Sequence, residues 1–94
     1  MVPVVVAPRA RAQLRKAVER WGREHQGETS RLGEAFARAL ELLAEFPNLG
    51  IGIGQRGRRR LLLPDVGYHV YYSYRAERVE VAAVWYAGRE RSPR

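Results

Sequence analysis

Apolar residues in this chain keep one spacing up to Phe46 and another after Gly57, and that switch constrains the fold more than any other feature. In the first half Leu14, Ala17, Val18, Trp21 and His25 recur at i, i+3, i+4, i+7 and i+11, while Arg11, Arg15, Glu19 and Arg23 fall between them. That is the pattern of a helix with one stripe on a core, predicted over roughly 10 to 25, with Pro8 suited to its opening turn. Gly27 is expected to end it, and Thr29 or Ser30 to cap a second helix. Leu32, Ala35, Phe36, Ala39, Leu40, Leu43 and Phe46 mark the core-facing stripe of that second helix, which Pro47 stops. A short link makes the two helices a hairpin.

After Gly57 the period is two. In Tyr68 to Tyr74 one face carries Tyr68, Val70, Tyr72 and Tyr74, and the other His69, Tyr71 and Ser73. In Val79 to Tyr86 strict alternation puts Val79, Val81, Ala83 and Trp85 on one face, and Glu80, Ala82, Val84 and Tyr86 on the other. Pro64-Asp65-Val66-Gly67 and Arg75-Ala76-Glu77-Arg78 read as the turns around these strands. The β-branched run Pro3-Val4-Val5-Val6-Ala7, stopped by Pro8, supplies a short first strand. The expected class is therefore α+β in the order β-α-α-β-β-β, a helical hairpin on a mainly antiparallel, twisted four-stranded sheet. At 94 residues the chain is expected to be a single domain spanning 1–94.

Gly50, Gly52 and Gly54 punctuate the segment between helix and strands. A phosphate-binding loop needs a strand before it and a helix N-terminus after it. Here a helix precedes and a strand follows, so the segment reads as a connector. There is no cysteine, and the two histidines, His25 and His69, stand far apart in sequence. No disulfide, thiolate nucleophile, metal site or cofactor is expected. The apolar stretch Val2 to Pro8 is too short for a signal sequence or a membrane span, so a cytoplasmic protein without membrane contact is expected.

Seventeen basic residues stand against ten acidic ones, a net charge of +7, and all of the basic ones but Lys16 are arginine. That sign predicts an acidic partner, either nucleic acid or protein. The arginines also cluster, with Arg56, Arg58, Arg59 and Arg60 inside five positions. In an extended strand Arg58 and Arg60 share one face and Arg59 takes the other. Such a run serves equally well as a binding surface or as a charged sheet edge that blocks aggregation.

The element order, the phrase Phe46-Pro47-Asn48-Leu49-Gly50, the basic strand after Gly57, the strand Gly67-Tyr68-His69-Val70-Tyr71-Tyr72 and the ending Arg89-Glu90-Arg91-Ser92-Pro93 resemble the RelE/ParE superfamily of type II toxins. The resemblance spans nearly the whole chain. It implies a toxin neutralised by a cognate acidic antitoxin, with operator DNA reached only through that antitoxin. RelE-like members cut mRNA on the ribosome, whereas ParE-like members poison DNA gyrase without nuclease chemistry, so whether the chain is an enzyme depends on its branch. Carried across, the RelE set places basic residues at Arg60 and Arg89. It departs at three points: Leu62 replaces the second basic residue, His69 replaces the Arg after Gly67-Tyr68, and the chain ends at Arg94 without the tail Tyr. The resemblance therefore favours the ParE-like branch. A substitute nuclease set would use Arg60, His69 and Arg89, with Tyr71 or Tyr86 on the same face to stack a base or donate a proton. A surface for target or antitoxin would use Arg56, Arg58, Arg59, Arg60, Arg89 and Arg91. Leu49, Ile51 and Ile53, apolar residues without a periodic home, are the candidates for exposed partner contacts.

Overall fold

A computed structural model describes residues 1–26 and 30–88. The elements are β1 (Val4–Val6), α1 (Pro8–Glu24), α2 (Ser30–Glu45), β2 (Ile51–Gly52), β3 (Arg58–Leu63), β4 (Tyr68–Arg75) and β5 (Arg78–Tyr86). The strands form one sheet in the order β1-β5-β4-β3-β2, with β1 parallel to β5 and every other pairing antiparallel. The expected helical pair on a mainly antiparallel sheet is present, with five strands where four were predicted. The added strand is β2, inside the glycine segment. Two residues are too few for a local signature, and β2 exists because Ile51 and Gly52 pair with Arg60 and Arg59.

Pro8 does occupy the start of α1, where its missing N–H costs nothing. Ala10, Ala17 and Trp21 of α1 and Leu32, Ala35, Phe36, Ala39 and Leu43 of α2 meet Tyr68, Val70, Tyr72, Val79, Val81 and Val84 of the sheet in one core. Leu14 and Val18 pack on its margin. Two residues of the predicted stripes lie outside it. His25 is exposed and stacks on Trp21 at 3.7 Å between ring centroids. Phe46 is 53% exposed because α2 ends at Glu45, before its ring can reach the sheet. Gly27, Thr29 and the side chain of Ser30, expected to end α1 and cap α2, lie outside the described residues.

Strict alternation fails in β5. Tyr71 pairs with Ala83 but Tyr72 pairs with Val81, so Ala82 is an extra residue and forms a β-bulge. Val79 and Val81 before the bulge and Val84 after it all enter the core. Ala83 moves to the opposite face, Trp85 pairs with His69, and Tyr86 pairs with Tyr68 on the helix side, their rings 5.4 Å apart. Without the bulge, Val84 would face water. The unpaired outer edge of β5 is managed by α1, whose Gln13 Oε1 accepts the Val84 N–H at 2.9 Å.

Candidate functional site: the arginine face of the sheet

The helices cover one face of the sheet, and the other face is open. On that open side β3 presents Arg58 opposite Ser73 and Arg60 opposite Tyr71, while Leu62 lies opposite His69. Arg59, of opposite parity, turns back toward the connector. Its Nη1 donates to the carbonyls of Gly50 at 2.7 Å and Asn48 at 3.3 Å. The alternation expected for the three arginines therefore holds, and Arg59 spends its guanidinium on the fold. Next to it, the buried Tyr72 hydroxyl accepts the Gly50 N–H and donates to the Pro47 carbonyl, each at 2.9 Å. Burial raises the pKa of this phenol, against smaller opposing effects from the Gly50 hydrogen bond and Arg59. Gly50 must be glycine here, because a Cβ would lie 2.8 Å from the Arg60 carbonyl oxygen and 2.9 Å from the Tyr72 ring. Together Arg59 and Tyr72 pin the 47–50 segment to the sheet and set the position of β2.

The open face is hollow. β3 raises Arg58 and Arg60 on one side, whereas β5 contributes the small Ala82 and Ala83, with Glu80, across from them, and the result is a cleft of about 430 Å³. Arg56, held in the turn before β3 at φ 61°, and Arg75 at the end of β4 complete its cationic wall, with Arg9 of α1 on the rim. Arg56 belongs to the predicted group. Arg75 and Arg9 do not. Arg75 shares the parity of Ser73, a signal that points it to this face, although in sequence it opens the turn at 75–78. Arg9 reaches the cleft by tertiary packing and has no sequence signal. Arg89 and Arg91 lie outside the described residues.

His69 sits on the same face between Leu62 and Trp85 and meets the Tyr71 ring edge-on at 5.9 Å. Partial burial, and then the charge of Arg60, lower its pKa from the ordinary 6.5. Both effects favour the neutral imidazole. Tyr86, expected beside it, is on the other side of the sheet because of the Ala82 bulge. Arg60, His69 and Tyr71 are thus neighbours, and Tyr86 is not. No cluster of three His, Cys, Asp or Glu residues suited to a metal occurs among the described residues. No described helix is long and apolar enough to cross a membrane.

A sequence profile for the ParE toxin of the type II toxin-antitoxin system parDE matches residues 4–91. The chain belongs to the ParE toxin family. Its predicted resemblance to RelE/ParE toxins, with the ParE side favoured, is borne out. Among solved structures, a chain of the chromosomal ParDE toxin-antitoxin system from P. aeruginosa has a TM-score of 0.77 at 15% identity, over 92% of this chain and 96% of that one. The isolated E. coli RelE toxin gives 0.68 at 22%, over 96% of this chain and 88% of its own. A chain of the intact E. coli RelBE toxin-antitoxin complex gives 0.68 at 22%, over 95% of this chain and 100% of that one. These are likenesses of fold. Comparison with curated protein sequences finds no match.

Proposed function

We propose that this ParE-family toxin acts in the cytoplasm by binding DNA gyrase, performs no chemistry of its own, and is held inactive by an acidic antitoxin. The observation that supports this reading is the environment of His69. RNA cleavage needs a base for the 2′-OH, cations around the phosphorane and an acid for the leaving oxygen. Among the described residues, His69 is flanked in the sheet by Leu62 and Trp85, Arg60 is the cation whose charge reaches it, and Tyr86 is on the far side of the sheet. Tyr71, the phenol that meets His69 on this face, is buried, and Leu62 stands where a second basic residue would be, so the described part of the face falls short of the set that the reaction requires.

The antitoxin is assigned to the flank where α2 meets β3. Leu42, Phe46, Leu49, Ile51 and Leu62 are each 45–57% exposed. Leu42, Leu49 and Leu62 line one groove with Ala35 and Ala39, and Arg38 and Asp65 also line it. Two of the predicted contacts, Leu49 and Ile51, are exposed, while Ile53 is half-buried. An amphipathic antitoxin segment with acidic residues fits both the apolar floor and the +7 charge. The arginine face is left for the target.

Purified toxin would be added separately to a gyrase supercoiling reaction and to translating ribosomes. Loss of supercoiling with mRNA intact is the expected result, as is its reversal by the antitoxin. Codon-linked mRNA cleavage with supercoiling unaffected would refute the proposal.

A further inference from the structure

The cleft on the open face is strongly cationic. Arg56, Arg58, Arg60 and Arg75 converge on one hollow of about 430 Å³. None of the four makes an ion pair among the described residues. Glu80, opposite Ser73, is the acidic group on the wall. The register fixes the spacing of the four. Arg60 is opposite Tyr71 and Arg58 opposite Ser73, and Arg75 follows two residues along, so the patch spans about 14 Å at about 3.4 Å per residue. In a concave low-dielectric hollow, like charges focus their field and repel one another. An anion placed among them relieves that repulsion and gains bidentate guanidinium–oxyanion hydrogen bonds.

We propose that this cleft binds a chain of two or more phosphoryl groups, carried by a nucleoside polyphosphate or by inorganic polyphosphate. Three features of the hollow select that chemistry. Its charge is dense over a short length, which suits consecutive phosphoryl groups. A single nucleic-acid strand carries one charge per nucleotide and would have to run on past the β4–β5 hairpin that ends the patch. The side chains are arginines, whose planar forks match phosphate oxygens. The floor is Ala82, Ala83, Ser73 and the buried Tyr71, so it offers small residues and a hydroxyl but no exposed ring on which successive bases could stack. The inference does not depend on the choice of gyrase as target, because it concerns the isolated chain.

The test is calorimetric titration of the purified full chain at about 150 mM salt, where diffuse surface attraction is screened. The probes are ATP, inorganic tripolyphosphate, AMP and a short single-stranded oligonucleotide of matched charge. ATP and tripolyphosphate are expected to saturate one site at least about tenfold more tightly than AMP. Tripolyphosphate as tight as ATP identifies the bare phosphate chain as the ligand, and a preference for ATP identifies a nucleoside polyphosphate. The doubly substituted variant Arg58→Gln/Arg75→Gln, both positions exposed, should weaken binding at least about tenfold. A control of equal charge change on the exposed face of α1, Arg15→Gln/Arg23→Gln, should stay within about twofold. Circular-dichroism melts confirm that both variants fold, and Arg56→Gln provides a second disruption away from the strands. Absence of saturable binding, equal weakening by the control, or tighter binding of the oligonucleotide would each overturn the proposal. None of these outcomes bears on supercoiling inhibition.

Discussion

Removing a single oxygen, in Tyr72→Phe, tests how the connector is held. The ring is 2% exposed and stays in place in the variant, so no cavity opens. The hydroxyl's two hydrogen bonds, from the Gly50 N–H and to the Pro47 carbonyl, both disappear. Gly50 is buried, and an N–H left there without a partner costs about 1–3 kcal/mol. Pro47 is half-buried, so its carbonyl can turn to water, and that loss is about 0.5–1 kcal/mol. The expected destabilisation is about 2–3 kcal/mol, a large part of the 5–15 kcal/mol typical of a domain. For a chain of this length it corresponds to a fall in Tm of about 10–20 °C. The assay is a thermal melt followed by circular dichroism, with urea unfolding to show an unchanged m-value. A fall in Tm smaller than about 4 °C would refute the reasoning, since it would mean that the Gly50 N–H finds another partner. The raised phenol pKa adds a sign that can be checked. A raised folded pKa contributes stability that is complete below the unfolded value of 10.0 and is lost as pH rises through the folded value. Tyr72→Phe should therefore blunt the alkaline loss of stability.

Three further outcomes are expected. Burial and Arg60 hold the His69 pKa below 6.5, so its contribution is complete above pH 6.5 and is lost as pH falls through the folded value. Its proton NMR titration should have a midpoint under 6.5, moving upward in Arg60→Gln, and a midpoint at or above 6.5 would contradict the geometry. At the β4–β5 hairpin Ala76 and Glu77 sit at φ 52° and 57°, where an L side chain costs about 1 kcal/mol. Glu77→Gly should raise stability by about 0.5–1 kcal/mol in urea unfolding, and a loss would show that the turn is not held in that conformation. Leu62 is 46% exposed, so Leu62→Asp should cost less than about 1 kcal/mol of stability while weakening antitoxin binding at least about tenfold by surface plasmon resonance. Undiminished affinity would move the antitoxin off the α2–β3 flank.

Read from residues alone, the chain yields its elements and much of its arginine face. The change of apolar spacing separates helices from strands, Pro8 and Pro47 bound them, and the turns at 64–67 and 75–78 are where their residues place them. Arg58 and Arg60 part from Arg59 as alternation requires, because β3 and β4 pair without interruption. These are properties of neighbouring residues, decided by φ preferences, side-chain shape and pleat. What needed tertiary structure is what distant residues decide together. Ala82 is an unremarkable alanine in an apolar strand. It becomes a bulge because the extra residue lets Val79, Val81 and Val84 all leave water against the helices, and the same step removes Tyr86 from the face of His69. Two residues of the glycine segment become a strand only beside Arg59 and Arg60. Arg9 and Arg75 join the cleft only once α1 is docked and the hairpin closed. Propensity acts over a few bonds, whereas register and convergence are settled by the burial of whole surfaces, and that is why the cleft itself could not be read from the order of residues.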